Sequence, residues 1–162
     1  MPVRLRPLRD DEFDAWVEHG KAEYARDMIE NAGAPPAQAR EKAESDWQTL
    51  LPQRVETPDQ FIYAVEDESG ARVGSVWFAR RETQFEGAVA FVYEIEIDEQ
   101  FRGRGFGREA MLLLEDEARA RGLARMSLNV FGGNEVARNL YRSLGYAESA
   151  VWMAKQLGDS QS

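Results

Sequence analysis

The chain has 162 residues, 43% of them hydrophobic, with a formal net charge of −9, one histidine and no cysteine. This length and apolar fraction predict one globular domain over residues 1–157 and a frayed tail over 158–162. The composition excludes disulfides and a cysteine nucleophile and argues against a metal site, a basic nucleic-acid surface, a membrane span and a secretory signal, so we expect a cytoplasmic protein that binds neither nucleic acid nor membranes.

The first half of the chain predicts one strand, two helices and then a run of three strands. VRLR, near the start, is the first strand. Apolar residues between Phe13 and Met28 recur at helical spacing behind an acidic cap. Pro36 suits the first turn of a second helix, which would end before Pro52. QFIYAVED and ARVGSVWFARR then predict a hairpin turned at Gly70, and AVAFVYEIEID predicts the third strand of an antiparallel meander.

The second half predicts a strand, a helix and a strand in a right-handed crossover. The strand over 88–98 leads through RGRGFG into a helix over 105–121, and MSLNVF predicts a parallel neighbour. A further helix is capped by Asn134 and ended by Gly145, and AVWMAKQ over 150–156 predicts a closing strand. These elements predict an α/β fold in which helices flank a central mixed sheet.

The RGRGFG segment places three glycines and two arginines between a strand and a helix. It does not match a dinucleotide fingerprint, because Arg108 stands where the third glycine would fall, and it lacks the Gly-Lys-Ser/Thr ending of a P-loop. A plain tight turn is the alternative, yet such a turn does not need Arg102, Arg104 and Arg108 at a helix N-terminus. Free N–H groups and the helix dipole favour an anion there, so the segment predicts a pyrophosphate site.

Two motifs at the expected spacing resemble the GNAT N-acetyltransferase superfamily. The first reads Arg102-x-x-Gly105-x-Gly107, and the second reads Asn134-x-x-Ala137-x-x-Leu140-Tyr141-x-x-x-Gly145-Tyr146. The resemblance covers residues 60–155, while the first half of the chain is similar in element order alone. It implies the GNAT acyltransferase fold. It also implies an enzyme that moves an acetyl group from acetyl-CoA, its co-substrate, to a primary amine by direct transfer in a ternary complex.

The resemblance further implies which residues bind acetyl-CoA. The glycine loop would hold the pyrophosphate. The strand before the loop would splay from its neighbour, so that its unpaired backbone groups hold the pantetheine and one N–H meets the oxyanion. The residues expected to contact acetyl-CoA are Ile95, Ile97, Arg102, Gly103, Arg104, Gly105, Phe106, Gly107, Arg108, Asn134, Ala137 and Tyr141.

Tyr141 is also the candidate catalytic acid. It matches the family tyrosine near the thioester sulfur, where a protonated phenol can donate to the departing thiolate. From helical periodicity alone, Tyr141 would be a core aromatic on an apolar face, and the motif match reverses that interpretation.

Glu94 and Glu96 are the candidate bases, acting directly or through water. On a regular strand both point to one face, while Tyr93, Ile95 and Ile97 point to the other. A bulge in this strand could reverse which carboxylate faces the cleft, so the choice between the two stays open.

Three further residues are expected near the acceptor. Trp16 and Tyr24 lie on the first helix, which borders the acceptor cleft in the family. Asn129 stands where some relatives place a glutamate or histidine, and because an amide is no base it becomes a hydrogen-bonding group for the acceptor or cofactor. His19 is interpreted as a solvated helix residue. The aromatic residues expected in the core are Trp47, Trp77, Phe78 and Trp152.

The acceptor is expected to be a small-molecule amine or a peptide amine, and the negative net charge favours a cationic one. The oligomeric state stays open, with a homodimer among the options. A non-catalytic acyl-CoA-binding regulatory domain on the same fold is the second hypothesis, and the retained Tyr141 favours the enzyme over it. A generic phosphate-binding α/β protein is the third.

Overall fold

The computed structural model describes residues 2–159, and that range holds a five-stranded sheet and four α-helices. The strands are β1 (Arg4–Pro7), β2 (Gln60–Glu66), β3 (Arg72–Thr83), β4 (Gly87–Ile97) and β5 (Met126–Leu128). The helices are α1 (Asp10–Ala32), α2 (Pro36–Leu50), α3 (Phe106–Ala120) and α4 (Glu135–Ser143), and 3-10 turns cover Arg54–Glu56 and Glu99–Phe101. Over these residues, no helix combines the length and the apolarity that crossing a bilayer needs.

The strands pair in the order β1-β2-β3-β4-β5. Neighbours are antiparallel except β4 and β5, which are parallel. The parallel pair follows from the connection, because α3 carries the chain from the end of β4 back to the start of β5. The predicted mixed sheet flanked by helices is therefore confirmed.

Helices cover both faces of the sheet and divide the interior into two cores. Because side chains alternate along a strand, one face of the sheet buries Phe78 and Val92 with the apolar side of α3. The opposite face packs Trp77 against Trp16 of α1 and Trp47 of α2, with ring centroids 5.6 and 5.0 Å away. Trp47, Trp77 and Phe78 are thus core residues, as predicted.

Helices α1 and α2 approach closely because Gly20 has no side chain. A Cβ at that position would stand 2.1 Å from the Trp47 ring, so any larger residue would displace the tryptophan. The contact fixes α1 across the sheet, and α1 in turn supplies one wall of the candidate site.

The predicted closing strand over 150–156 is wrong. The structure gives residues 147–157 no regular secondary structure, and Trp152, expected in the core, is 95% exposed. An apolar run satisfies only half of what a strand needs, since its backbone must also pair with a neighbour. The segment pairs with no strand among the described residues, and the strand predicted from MSLNVF is limited to the three residues of β5.

Strand β4 contains a bulge and separates from β5 near its middle. Trp77 of β3 pairs with Glu94 while Phe78 pairs with Val92, so Tyr93 is the extra residue of the bulge. On its other side β4 pairs with β5 only over residues 90–92. The backbone of residues 93–97 therefore has no β5 partner, and this opening positions the candidate site.

Candidate active site

A cleft of about 310 Å³ opens between α1, the end of β4 and the loop that follows β4. Its lining residues are His19, Glu23, Arg26, Glu96, Asp98, Glu99, Gln100 and Arg102. A second groove of about 380 Å³ lies between the end of α3 and residues 144–147, away from the glycine loop. Of the two, the smaller cleft adjoins the opening of β4 and carries the candidate carboxylate Glu96, so it is the candidate active site.

The glycine loop presents backbone N–H groups at the start of α3. Gly105 is the residue before the helix and has a left-handed φ of 83°, which glycine adopts without strain. The first intrahelical bond runs from Glu109 N to Gly105 O at 3.1 Å, so the N–H groups of residues 106–108 have no acceptor inside the helix. Gly105, as the N-cap residue, has no side chain with which to cap this end.

The space in front of these N–H groups is open. A Cβ built on Gly103 or on Gly105 would meet no atom within 4 Å. Unbonded donors at the positive end of a helix, with room for a bulky group, fit a pyrophosphate. The residues present therefore suit the acetyl-CoA that the sequence predicts.

The arginines of the loop make contacts within the protein. Arg102 donates from Nε to the Ile97 carbonyl at 2.8 Å, Arg104 lies 5.7 Å from the Phe101 ring centroid, and Arg108 donates to Ser143 Oγ at 2.8 Å. These contacts hold the loop between the end of β4 and α4. All three arginines are exposed, so their charge also acts on an anion at the loop.

Three apolar residues predicted to contact acetyl-CoA point into the core. Phe106 and Ile97 are 2% and 8% exposed, and Ile95 packs against the same cluster beside α3. Any contact they make with a pantetheine or pyrophosphate therefore involves their backbone groups and not their side chains. The separation of β4 from β5 leaves Ile95 and Ile97 without a β5 partner, and of their backbone groups the Ile97 carbonyl accepts from Arg102.

The bulge changes which side chains share a face of β4. The sequence predicted that Tyr93 points away from Glu94 and Glu96, and this is wrong. Because Tyr93 is the extra residue, it lies on the same face as Trp77, with ring centroids 4.6 Å apart. Glu94 and Glu96 pair opposite Trp77 and Ser75 on that face, so β4 presents both carboxyls toward α1.

Glu94 lies below the cleft in a hydrogen-bonded chain. Trp16 Nε1 donates to Ser75 Oγ at 3.1 Å, and Ser75 Oγ donates to Glu94 Oε1 at 3.3 Å. Within residues 2–159, its second oxygen, Oε2, is buried with no hydrogen-bond partner. Burial, reinforced by the neighbouring Glu96 carboxylate, raises the pKa of Glu94 to about 8. Glu94 therefore carries a proton at neutral pH.

Glu96 lies at the cleft and contacts α1. His19 Nε2 is 2.7 Å from Glu96 Oε1, and Arg102 Nη2 is 3.9 Å from the same oxygen. One turn along α1, Glu23 offers a carboxylate oxygen, and this atom, His19 Nε2 and a Glu96 oxygen all lie within 4.8 Å of one another. Such donors can also hold a divalent cation. Arg26 pairs with Glu23 and Arg102 with Glu96, so both carboxylates take part in ion pairs within the protein.

Tyr141 of α4 is half-buried and packs beside Tyr146, with ring centroids 5.9 Å apart. Burial and the nearby Asp27 carboxylate raise its pKa to about 12, so the phenol stays protonated over the physiological range. At the start of α4, Asn134 Oδ1 accepts the Ala137 N–H at 3.2 Å, and the predicted cap is confirmed. Asn134 and Ala137, two residues of the second motif, therefore bond to each other at the start of α4.

The residues predicted on the acceptor side are only partly in place. Trp16 is 2% exposed and bonded to Ser75, so it supports the cleft from below instead of lining it. Tyr24 donates to Asp46 Oδ2 at 3.2 Å and ties α1 to α2. Asn129 is exposed and lies just beyond β5, opposite the opening in β4. Neither Trp16, Tyr24 nor Asn129 lines the cleft at His19.

Sequence reasoning missed His19, Glu23 and Ser75. His19, Glu23 and Asp27 follow one another at intervals of four residues, which places them on one polar face of α1. That spacing could have been recognised. Ser75 is a small polar residue inside the apolar run VGSVWF, and a buried hydroxyl there signals a partner. Its partner Glu94, however, became apparent only from strand register.

The chain is similar to a known protein family and to a protein of known structure. The model of the Acetyltransferase (GNAT) family matches residues 10–146. The chain is similar to the uncharacterized N-acetyltransferase YycN of Bacillus subtilis, at 29% identity over 157 residues, 97% of this chain and 100% of YycN. The crystal structure of YycN matches with a TM-score of 0.90 at 28% identity, covering 98% of this chain and 100% of that chain.

Of two further proteins, one matches over less of its own length and the other at a lower sequence identity. A mycothiol acetyltransferase of Thermobispora bispora is 31% identical over 155 residues, which span 92% of this chain and 48% of that protein. A predicted acetyltransferase of Clostridium acetobutylicum, solved with acetyl-CoA, matches with a TM-score of 0.67 at 14% identity, covering 96% of this chain and 97% of that chain. The second likeness concerns the fold alone.

Proposed function

The chain belongs to the GNAT acetyltransferase family, and we propose that it transfers an acetyl group from acetyl-CoA to a primary amine by direct attack in a ternary complex. One observation carries the proposal: β4 separates from β5 after residue 92 and leads into an α3 N-terminus whose N-cap residue is Gly105. Unpaired backbone groups thus run from the opening of the sheet to an anion site. The carboxyl of Glu96 and the cleft lie beside them.

Acetyl-CoA would supply the activated thioester. The N–H groups at the start of α3 would bind its pyrophosphate, where the helix dipole favours negative charge. The unpaired backbone of residues 93–97 would bind the pantetheine and orient the carbonyl. An N–H of this stretch would stabilise the oxyanion that forms during attack.

Glu96 is the better base of the two candidates. It lies in the cleft against charged partners, whereas Glu94 is held below it with a pKa raised to about 8. An amine with a pKa of about 10 arrives as ammonium, and a carboxylate in the cleft both attracts that cation and accepts its proton. Glu94, protonated and bonded to Ser75, would position Glu96 from below.

Tyr141 would donate a proton to the departing thiolate. Its pKa, raised to about 12, keeps the hydroxyl protonated until the leaving group develops charge. The preceding residue, Leu140, lies beside Gly107 of the glycine loop, where a Cβ on Gly107 would be 3.7 Å from its side chain. The phenol is thus held next to the element that binds acetyl-CoA.

The acceptor would be a cationic small-molecule amine or a peptide amine. Four carboxylates line the cleft, those of Glu23, Glu96, Asp98 and Glu99, against Arg26 and Arg102. Arg102 is anchored to Ile97 at the glycine loop, and Arg26 pairs with Glu23. The remaining charge is negative, which favours a cation.

Glu96→Gln tests the assignment of the base. We expect kcat/KM to fall about 10²-fold at neutral pH and to recover as the pH approaches the pKa of the amine, since free amine then no longer needs a base. The matched control is Glu94→Gln in the same strand, which should lose less activity. If both variants keep the parental pH profile of kcat/KM, β4 does not supply the base.

A further inference from the structure

His19 of α1 and Glu96 of β4 meet across the cleft, although 77 residues separate them in sequence. The distance from His19 Nε2 to Glu96 Oε1 is 2.7 Å, which is a short hydrogen bond. The side chain of Glu96 is 15% exposed, whereas that of His19 is 54% exposed. The pair therefore connects an enclosed carboxyl to solvent.

We propose that His19 carries the acceptor's proton from Glu96 to bulk water. This inference rests on the proposed function, since it concerns the fate of the proton that Glu96 removes. The sequence alone suggested a solvated helix residue, and the exposure of the ring agrees with that interpretation. The contact with Glu96 gives the exposed ring a role in catalysis.

The protons balance in three steps. The ammonium group of the acceptor gives one proton to the Glu96 carboxylate, which leaves a neutral amine with a free electron pair for attack. The protonated Glu96 then donates that proton to Nε2 of His19, which accepts it in the neutral tautomer that carries its own proton on Nδ1, and an imidazolium forms. The imidazolium releases a proton to water. After attack, the nitrogen loses a second proton, which returns to Tyr141 in place of the one given to the departing thiolate. Acetyl transfer from a thioester to an ammonium therefore liberates one proton overall, and His19 is its exit.

Arg102 and Glu94 lie near Glu96 but cannot take this proton, and Glu23, within 4.8 Å, is paired with Arg26. Arg102 remains protonated and has no electron pair to offer. Glu94 already holds a proton in its buried site. Among the described residues that contact Glu96, His19 is therefore the group able to accept.

Charged groups of both signs surround His19. Glu23 and Glu96 lie beside the imidazole, and Asp98 and Glu99 lie at the cleft rim. Arg26 and Arg102 line the same cleft. Because the ring is more than half exposed, it can exchange protons with water whichever form it holds.

His19→Ala, assayed with an amine substrate by thiol release, tests the role of His19. We expect kcat to fall about tenfold or more, with the calorimetric affinity for acetyl-CoA unchanged. Added imidazole should restore much of the turnover of His19→Ala and leave the parent unaffected. Glu18→Gln, an exposed change on the same helix, is the control and should behave as the parent.

A spectroscopic readout is available because the chain has a single histidine. In untagged protein, the imidazole ¹⁵N signals belong to His19 alone. Glu96→Gln should change the Nε2 shift, and Glu18→Gln should not. An Nε2 signal that is the same in Glu96→Gln and in the parent would overturn the contact on which the proposal rests.

Three kinetic outcomes would also overturn the proposal. The first is parental turnover in His19→Ala, and the second is a turnover loss that imidazole does not restore. The third is a rise in the acceptor KM alone, which would make His19 a binding residue. If the parent releases no thiol with any amine, the proposed function itself fails and this inference fails with it, while the ¹⁵N result still reports whether the pair exists.

Discussion

Glu94 has a carboxyl group that is buried away from water. Its carboxyl lies under the cleft with one oxygen bonded to Ser75 and the other buried without a hydrogen-bond partner in residues 2–159. Burial and the adjacent Glu96 raise its pKa to about 8. A carboxyl held protonated in the native state makes stability depend on pH in a direction opposite to that of a salt-bridged carboxylate.

The sign follows from linkage. The folded pKa of Glu94 lies above its ordinary value of 4.5, so the native state binds the proton more tightly than the unfolded state. The stabilisation is fully present below about pH 4.5 and is lost as the pH rises through about 8. Since one unit of pKa shift corresponds to about 1.4 kcal/mol, the effect is on the order of a few kcal/mol.

Glu94→Gln should therefore remove part of the pH dependence of stability. We expect the free energy of unfolding of the parent, relative to that of the variant, to fall between pH 5 and 9, because glutamine has no proton to lose. Urea denaturation of both proteins at the two pH values measures it. Glu68→Gln, an exposed change in the β2–β3 turn, is the control. Parallel behaviour of parent and Glu94→Gln would refute the buried-acid interpretation.

Tyr141→Phe tests the acid. The change keeps the ring and its packing against Tyr146 and removes only the hydroxyl. General-acid contributions are about 10²- to 10⁴-fold, so kcat should fall by about that factor while acetyl-CoA affinity stays near parental. Steady-state kinetics with calorimetry separates the two quantities. A loss of kcat below about threefold would indicate a packing role.

At the scale of elements, the sequence predicted the helices and the inner strands well and the edge of the sheet badly. Helix α1 is predicted by apolar residues at helical spacing and by an acidic first turn, and both are features of the local sequence. The segment over 150–156 begins with an equally clear apolar run, AVWMA, and forms no strand. Local pattern decides which conformation a segment favours, but pairing requires a partner elsewhere in the chain.

In the candidate site, too, the features set by local sequence were predicted and those set by distant contacts were not. The glycine loop and Tyr141 follow from motifs that lie within single elements. The direction of Tyr93 and the pairing of His19 with Glu96 depend on a bulge and on where α1 crosses the sheet. Periodicity in β4 could not reveal the bulge, because one extra residue moves a side chain to the other face without any change in composition.

The role of the glycine loop can be tested by the same substitution at two glycines of similar backbone conformation, one in the loop and one outside it. Gly105→Asp places a side chain and a negative charge in front of the N–H groups of α3, so acetyl-CoA should bind at least about tenfold more weakly by calorimetry. Gly87→Asp is the control, because Gly87 has a φ of 72°, a Cβ there would also meet nothing within 4 Å, and it stands at the far end of β4.

The two variants share the backbone strain of a left-handed residue, so strain alone would affect both. Circular dichroism and melting temperature confirm that each is folded. Equal affinities for acetyl-CoA in Gly105→Asp and Gly87→Asp would remove the pyrophosphate from this loop. Arg104→Ala should cost less, about 1 kcal/mol, since the Arg104 guanidinium is exposed.

In the molecule as a whole, the two proposed ligands reach the same stretch of β4 from different sides. Acetyl-CoA would approach through the opening between β4 and β5 and the amine through the cleft beside α1, and the two sites meet at residues 93–97. The net charge of −9 would draw the proposed cationic acceptor to the protein, while the proposed anionic co-substrate would depend on local donors at the start of α3. Different features of one chain would thus attract the two ligands.

We propose that this chain catalyses acetyl transfer to an amine, and thiol release from acetyl-CoA in the presence of a panel of amines, with mass spectrometry of the acceptor, measures this activity. We expect amine-dependent thiol release that matches, mole for mole, the acetylated amine formed. Calorimetric binding of acetyl-CoA without thiol release from any amine would contradict it and identify an acyl-CoA-binding domain instead.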